Sequence, residues 1–545
     1  MQFPKQGLDK VGIFEMKSVL RIFFIVTILL GLHTGAHAQQ KSRIRFEGAK
    51  SMKNLNINGQ KIIRYIGNVR FRHENTRIVC DSAYQNPDDN WFDAFGNVSI
   101  QQGSTRITGQ TLHFDGKTSV GKITGKEVKL IDEETTLTTQ TLFFNSKTNV
   151  AYYTTPGVIT SKESKLSSQR GYFNRFSNLL SFAGNVVMVD PNGTIYTDSL
   201  SYNTQNELAY FFGPTHIFNE DNYAYCEKGW YNKKIEQTNL QQNAYILSQE
   251  NKIFGNNIFY DKSIKFAHAI GNVVLVDTLN RAYIYGQKAN FWQETEQAEV
   301  TENPYLMLID NSDSLFLKAN YFKVITQKHE NSTDSSYRVL KALGNVAFYR
   351  HDVQGFCDSM IYNTRDSAID MYVDPILWND VNQMTADHIT IHSKNNKINQ
   401  MDFNGNAFIT SFEQDKFYNQ IKGKTITAFF SNGKAEKIDV NGNGQAVYFI
   451  RDGNTLTLAN RSESARISIM VKDNKASRVT FHEKPSSNLY PIEKVELEDV
   501  MLKGFKWLEA KRPANRYSVI PKDFKEQPEE RGNKKQREIL SSKNK

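Results

Sequence analysis

The chain has 545 residues, of which 39% are hydrophobic and 12% aromatic, with 12 prolines and 32 glycines. That composition builds an ordered core and excludes a low-complexity or collagen-like chain. The formal charge of +9 sits at the ends: residues 511–545 carry +6 and residues 1–38 carry +2, so the body is left with about +1, which excludes a broad basic surface for nucleic acid.

Residues 1–38 read as a secretory signal peptide whose true start is Met16. Lys17 and Arg21 precede the apolar run from Ile22 to Leu32, and Ala36-His37-Ala38 places cleavage before Gln39. The run is too short to span a bilayer, and no cysteine stands at the cleavage point to accept a lipid anchor. The mature chain is expected to be exported. Its three cysteines, Cys80, Cys226 and Cys357, are odd in number and sparse, so they are no disulfide framework. Cys80 and Cys357 precede Asp-Ser where Thr197 precedes Asp198-Ser199, which marks them as small residues of a repeat.

From about residue 60 to 480 the chain repeats. Gly-Asn followed by a small or apolar residue recurs at Gly67, Gly96, Gly184, Gly271, Gly344 and Gly405. Degenerate copies at Gly125, Gly157-Val158, Gly213-Pro214 and Asp374-Pro375-Ile376 keep a step of about 30 residues, the period of stacked supersecondary units. Each copy holds two β-rich segments and two turns. Phe182–Val189 runs into Asp190-Pro191-Asn192-Gly193, and Thr194–Tyr202 runs into Asn203-Thr204-Gln205-Asn206; such runs are strands joined in hairpins. Equivalent second turns begin at Asp115, Asn145, Asn363 and Ser431.

The second strand carries apolar residues at offsets 0, 5 and 7: Ile107/Leu112/Phe114, Leu137/Leu142/Phe144, Ile195/Leu200/Tyr202, Ile253/Ile258/Tyr260, Met384/Ile389/Ile391 and Ile421/Ile426/Ala428. In a straight strand, offsets 0 and 5 face opposite sides. A bulge or sharp bend must therefore reverse the parity between them, and the glycine of Gly-Asn marks the same bend in the first strand. The fold class expected is all-β: an elongated array of bent antiparallel hairpins whose two facing walls form a creased trough, apolar on the inside.

This grammar resembles the OstA/LptA-like family, the periplasmic lipopolysaccharide-transport β-jellyroll proteins, and in layout the long OstA-like proteins of Bacteroidetes-type bacteria. Phe182-Ala-Gly-Asn-Val186, Phe95-Gly-Asn-Val98, Tyr196-Thr-Asp198 and Thr385-Ala386-Asp387 carry the likeness; many other copies replace Ala-Asp by Gly-Gln or Thr-Gln. The resemblance implies a twisted jellyroll that shields acyl chains and a periplasmic bridge role in lipopolysaccharide transport and outer-membrane assembly. Implied partners are lipopolysaccharide or a related lipid, an outer-membrane translocon or other Lpt-type components, and end-to-end copies of the chain. Only about 60 residues follow the last copy, too few for a large outer-membrane barrel. Parity places Val98, Ile100, Leu112, Phe114, Leu142, Phe144, Val186, Met188, Leu200, Tyr202, Val273 and Leu275 on the inner side as candidates for lipid contact.

The domain reading is a signal peptide over 1–38, OstA-like repeats over 39–330, further repeats over 331–490, and a C-terminal segment over 491–545 whose basic tail, from about Pro521, reads as disordered. No catalytic residue, cofactor or metal site is expected. His388-Ile389-Thr390-Ile391-His392 lacks the glutamate of H-E-x-x-H, and its histidines sit about 13 Å apart on a strand. Two other readings compete: an exported β-solenoid that binds polysaccharide through exposed aromatic rows, and a plain structural scaffold.

Overall fold

The computed structural model describes residues 43–523, apart from 133, 162–163, 175, 192, 219–221, 249–250, 279–280, 310–313, 329–335, 395–396, 432–433 and 473–474, together with Glu530, Gly532 and Gln536. The expected signal peptide and most of the basic tail lie outside the described residues. No helix among the described residues is long and apolar enough to cross a membrane. The chain divides into two compact units. An N-terminal unit runs to Gln249 and includes Asn256–Ile264 and the described residues from Glu530 onward. A C-terminal unit holds Glu250–Gly255 and Lys265–Glu529.

In the N-terminal unit successive strands pair antiparallel: Gln60–His73, Thr76–Asn86, Trp91–Gln102, Thr105–Asp115, Val120–Asp132 and Thr135–Asn145. Each ladder slips at its middle, between Ile66 and Val69, Val79 and Ser82, Phe95 and Val98, Thr108 and Thr111, and Thr124 and Val128. These are the expected bends. The first three arise at the Gly-Asn pairs Gly67-Asn68 and Gly96-Asn97 and the last two at Gly125-Lys126-Glu127; the Gly-Asn pairs sit wholly in the left-handed region, with φ +72° and +43° at Gly96-Asn97, and +80° and +49° at Gly184-Asn185. Glycine enters that region at no steric cost, and asparagine tolerates it best among residues with a side chain.

The bend is also clasped. Asn97 Nδ2 donates to Asp81 Oδ2 at 2.8 Å, and Asn406 Nδ2 donates to both carboxylate oxygens of Asp387 at 3.2 and 3.1 Å. A Cβ on Gly96 or Gly405 would collide with the same aspartate, and one on Gly213 with Asp198. Asp81, Asp198 and Asp387 therefore each lie across the crease from the next strand's glycine.

In some copies the bend breaks the strand outright. Val150–Tyr153 and Gly157–Thr160 flank Pro156, Gln297–Thr301 and Tyr305–Leu308 flank Pro304, and Ala368–Tyr372 and Ile376–Asn379 flank Pro375. Proline lacks the N–H a ladder needs, so these copies replace the Gly-Asn bulge by a gap. The second turns are Asx turns: Asp115 Oδ1 accepts from Lys117 N at 2.8 Å, Asn145 Oδ1 from Lys147 N at 2.9 Å, and Asn363 Oδ1 from Arg365 N at 2.9 Å. The turn expected at Ser431 includes residues 432–433, outside the described set.

The C-terminal unit repeats the pattern, with slips between Ile270 and Val273, Leu343 and Val346, Asn404 and Ala407, and Asn441 and Gly444. Here burial extends to both faces of the wall. Ile389, Ile391, Ile426 and Ala428 are buried, but their offset-0 partners Met384 and Ile421 are only half-buried, and the adjacent Gln383 and Gln420 are buried instead. The reason is tertiary: the segment from Val500 to Ile520 lies over the outer face of this wall, so burial there no longer marks the inner side.

The three thiols occupy bends. Cys80 pairs with Val69, Cys357 with Val346 and Cys226 with Thr215, as Thr197 pairs with Val186. Burial pushes all three up to about 12, and the thiolate is the reactive form. A thiol reagent at pH 8 is expected to label none in the native protein and all three in denaturant; fast labelling of the native chain would contradict the buried placement.

Candidate functional site: an apolar cavity between the two walls

The inner faces are built from cross-strand rows. On the half of each strand beyond the crease, Ile78, Ile100, Ile107, Leu130, Leu137, Ile159, Leu166, Met188 and Ile195 follow one another through direct pairings. On the other half, Ala83, Ala94, Leu112, Ile123, Leu142 and Tyr153 do the same, as do Phe92, Phe114, Gly121 and Phe144 one pair further out. Both rows are apolar because each strand reverses parity at its bulge, which keeps offsets 0, 5 and 7 on one concave side.

Near the N-terminus the walls are closed by rings. Phe71 stacks on Phe92 with centroids 4.7 Å apart, Phe92 lies 5.7 Å from Phe114, and His73 meets Phe114 at 5.1 Å. Further along, small residues make room for rings: a Cβ on Gly121 would enter the ring of Phe144, and one on Gly157 or Gly171 that of Tyr153. Tyr153 is fully buried, its hydroxyl 2.6 Å from Ser168 Oγ.

Between the two regions the walls part and enclose a cavity of 390 Å³, within the range of about 300–1,000 Å³ typical of ligand pockets. One wall supplies Ile100, Ile107, Leu130, Leu137 and Ile159; the other supplies Leu142, Phe144, Ala151, Phe173 and Leu180. The rim is polar. Thr76, Gln102, Thr105, Asp132 and Thr135 edge one wall, and Asn145, Ser146, Asn149, Asn174 and Asn178 edge the other. Rim polarity follows from the hairpin turns, whose side chains bond one another or the backbone: Ser104 Oγ donates to Asp132 Oδ1 at 2.8 Å and Asn174 Oδ1 accepts from Ser177 N at 3.2 Å. The arrangement suits an amphiphile with an apolar body inside and a polar head at the rim.

Of the residues named from parity, Ile100, Leu142 and Phe144 line this cavity. Val98, Leu112 and Phe114 are buried on the same inner faces toward the closed end, and Val186, Met188, Leu200 and Tyr202 are buried further along the unit. Val273, buried, and Leu275, half-buried, belong to the C-terminal unit. Ile107 and Leu137 were visible in the offset pattern, whereas Leu130, Ile159 and Phe173 fall in degenerate copies, and Leu180 lies two residues ahead of the span read from Phe182.

His388 Nε2 lies 3.0 Å from Asp370 Oδ1, and His392 Nε2 lies 2.9 Å from Asp402 Oδ2. Each histidine is paired with its own carboxylate, and no group of three or more His, Cys, Asp or Glu among the described residues is placed to hold a metal ion.

Burial holds the phenols of Tyr153, Tyr231, Tyr245 and Tyr305 up at about 12. Unfolded tyrosines lose their protons near 10. Stability from these groups is therefore complete below pH 10 and falls as pH rises from about 10 to about 12. Denaturant midpoints measured across that window are expected to drop; a flat midpoint would contradict the burial.

The family model described as OstA-like protein matches residues 41–184 and 176–256. Among solved structures, the chain is similar to LptH from Pseudomonas aeruginosa, the LptA-homologous periplasmic component of the lipopolysaccharide transport device. Identity is 18% over 25% of this chain and 79% of that one, with a TM-score of 0.14. No curated protein matches the chain.

Proposed function

From the premise that this chain is an OstA-like protein, matched to the family over residues 41–256, we propose that it shelters the acyl chains of lipopolysaccharide or a related lipid in its apolar trough during outer-membrane assembly. The cavity between the walls carries the reading. It is apolar on both sides and polar at the rim, and each CH₂ it takes from water contributes roughly 0.8 kcal/mol. Contact of this kind is continuous and unspecific, as a cargo that slides requires. The proposed compartment is the periplasm, reached through the leader expected over residues 1–38, and the proposed partners are an outer-membrane translocon or other Lpt-type components.

End-to-end association with a further copy is part of the proposal. Among the described residues, Arg45–Gly48 and Ser51–Ile57 pair only with Gln60–His73, and Lys475–His482 and Ser486–Pro491 pair only with Thr455–Lys472. Each set leaves a strand edge to be extended. The test of the main reading is mass spectrometry of lipid retained by the exported protein after gentle purification. Stoichiometric acylated lipid supports it, and a lipid-free protein that takes up none from micelles refutes it.

A polysaccharide reading has one observation in its favour. Phe143, Tyr152 and Tyr172 form an outward cross-strand row, with Phe143 stacked on Tyr152 at 4.7 Å. The row is interrupted at Ser181 and Ser201 before Tyr210. Quenching of tyrosine fluorescence by soluble glycans, lost in Tyr152→Ala, would favour it.

A further inference from the structure

Within the C-terminal unit, Gln354, Trp378, Gln383, Thr410, Gln420 and Val447 form one cross-strand row on the outer face. All are buried, Gln383 to 2%, Gln420 to 1% and Trp378 fully. What covers them is the chain's own segment from Val500 to Ile520, and the wall holds that segment chiefly by its backbone. Gln420 donates to Val500 O and accepts from Leu502 N, both at 2.9 Å. Gln383 repeats the pair, donating to Lys506 O at 2.7 Å and accepting from Leu508 N at 2.6 Å. Arg461 reaches Asp499 O at 2.9 Å, Lys422 reaches Lys503 O at 2.7 Å, and Lys318 reaches Ser518 O at 2.9 Å. Apolar anchors complete the seat: Val500 and Leu502 join Phe408, Val447 and Phe449 in a buried cluster, and Phe505 and Trp507 each lie 5.1 Å from Tyr418.

Two features distinguish this seat from a permanent core. First, its centre is glutamine. A wall meant to stay covered gains more from apolar residues, whereas a glutamine amide is satisfied equally by a peptide backbone or, once uncovered, by water. Second, the Trp378 indole N–H, fully buried in the same row, has no hydrogen-bond partner. An unmet buried donor costs about 1–3 kcal/mol, a cost that entry of water to this row would remove. The link that leads from the last strand to the segment, residues 491–499, holds no buried residue.

We propose that this face is a releasable peptide dock, and that it accepts residues 500–520 of a second copy of the chain in exchange for its own. The occupant's identity follows from the fit already present. Contacts made in trans are identical to those made in cis, so the exchange costs only the advantage of tethering. The dock would join copies through a different surface from the free strand edges.

The test uses the full-length chain carrying Leu502→Asp and Phe505→Ser, which loosens the segment and leaves the wall intact, together with a fluorescent peptide of residues 497–520 with the natural sequence. Anisotropy is expected to show saturable binding to this variant and binding at least about tenfold weaker to the unaltered chain, whose own segment competes. Adding Gln383→Ala and Gln420→Ala is expected to weaken peptide binding by about tenfold or more, for the loss of up to four backbone hydrogen bonds. Three outcomes overturn the proposal: no saturable binding to the loosened variant, affinity indifferent to the two glutamines, or loss of the circular-dichroism sheet signal when the segment is loosened, which would make it part of the core.

Discussion

Leu130→Glu is expected to abolish the lipid retention proposed for the N-terminal unit. Leu130 is half-buried and lines the cavity, while its neighbour Ile131 points outward and is 37% exposed. An uncompensated carboxylate among acyl chains costs several kcal/mol, and every 1.4 kcal/mol is a factor of ten in affinity. Leu130→Glu should therefore lower retained lipid by at least about tenfold. Ile131→Glu makes the same chemical change on the other face of the same strand and should leave retention within about twofold. Both variants should keep their sheet signal and melt within a few degrees of each other. Equal retention by the two variants would show that the cavity is not where lipid resides. Phe144→Glu extends the test to the opposite wall, where the ring occupies the space left by the missing side chain of Gly121.

The second large effect lies at the crease. Gly96 has φ +72° and Gly59 has φ +80°, so alanine at either pays the left-handed penalty of about 1–2 kcal/mol. Only at Gly96 does the added Cβ also run into the Asp81 carboxylate, displacing the acceptor that Asn97 holds at 2.8 Å; around Gly59 there is open space. Gly96→Ala is expected to destabilise by about 3 kcal/mol, combining the backbone penalty with a lost hydrogen bond of about 1 kcal/mol. Gly59→Ala should cost only the backbone penalty of about 1–2 kcal/mol. Denaturant unfolding of both variants decides the point. Equal costs would mean that the aspartate clasp contributes nothing and that the bend is held by φ alone.

Some of the structure was legible because it rests on local rules repeated many times. A Gly-Asn pair enters the left-handed region at the least cost of any dipeptide and so marks a bend in mid-strand, and the reversal of apolar parity from Ile107 to Leu112 leaves a bend as the sole way to keep both on one side. The bends, the two-turn grammar and the inner placement of Ile100, Leu142 and Phe144 all follow from residues within about ten positions of one another. The aspartate clasp was present in the sequence as the recurrent Asp of Cys-Asp-Ser and Ala-Asp, although its partner sits 16 residues away in the case of Asp81 and Asn97. Such a pair is invisible until the hairpin register is known.

Burial itself could not be read locally wherever distant chain covers a face. Gln383 and Gln420 look like solvent residues of a strand. They are buried because backbone 80 or more residues later, at Lys506–Leu508 and Val500–Leu502, lies across them. The cavity is likewise a property of assembly, since no rule of spacing says how far two walls stand apart once rings such as Phe71 and Phe92 fill one end and Tyr153 props the other. Sequence alone determined a creased all-β array with an apolar inside, because φ preferences and side-chain parity are short-range. Where that inside is filled, where it stays hollow and which outer face is covered were decided by packing between segments far apart in the chain.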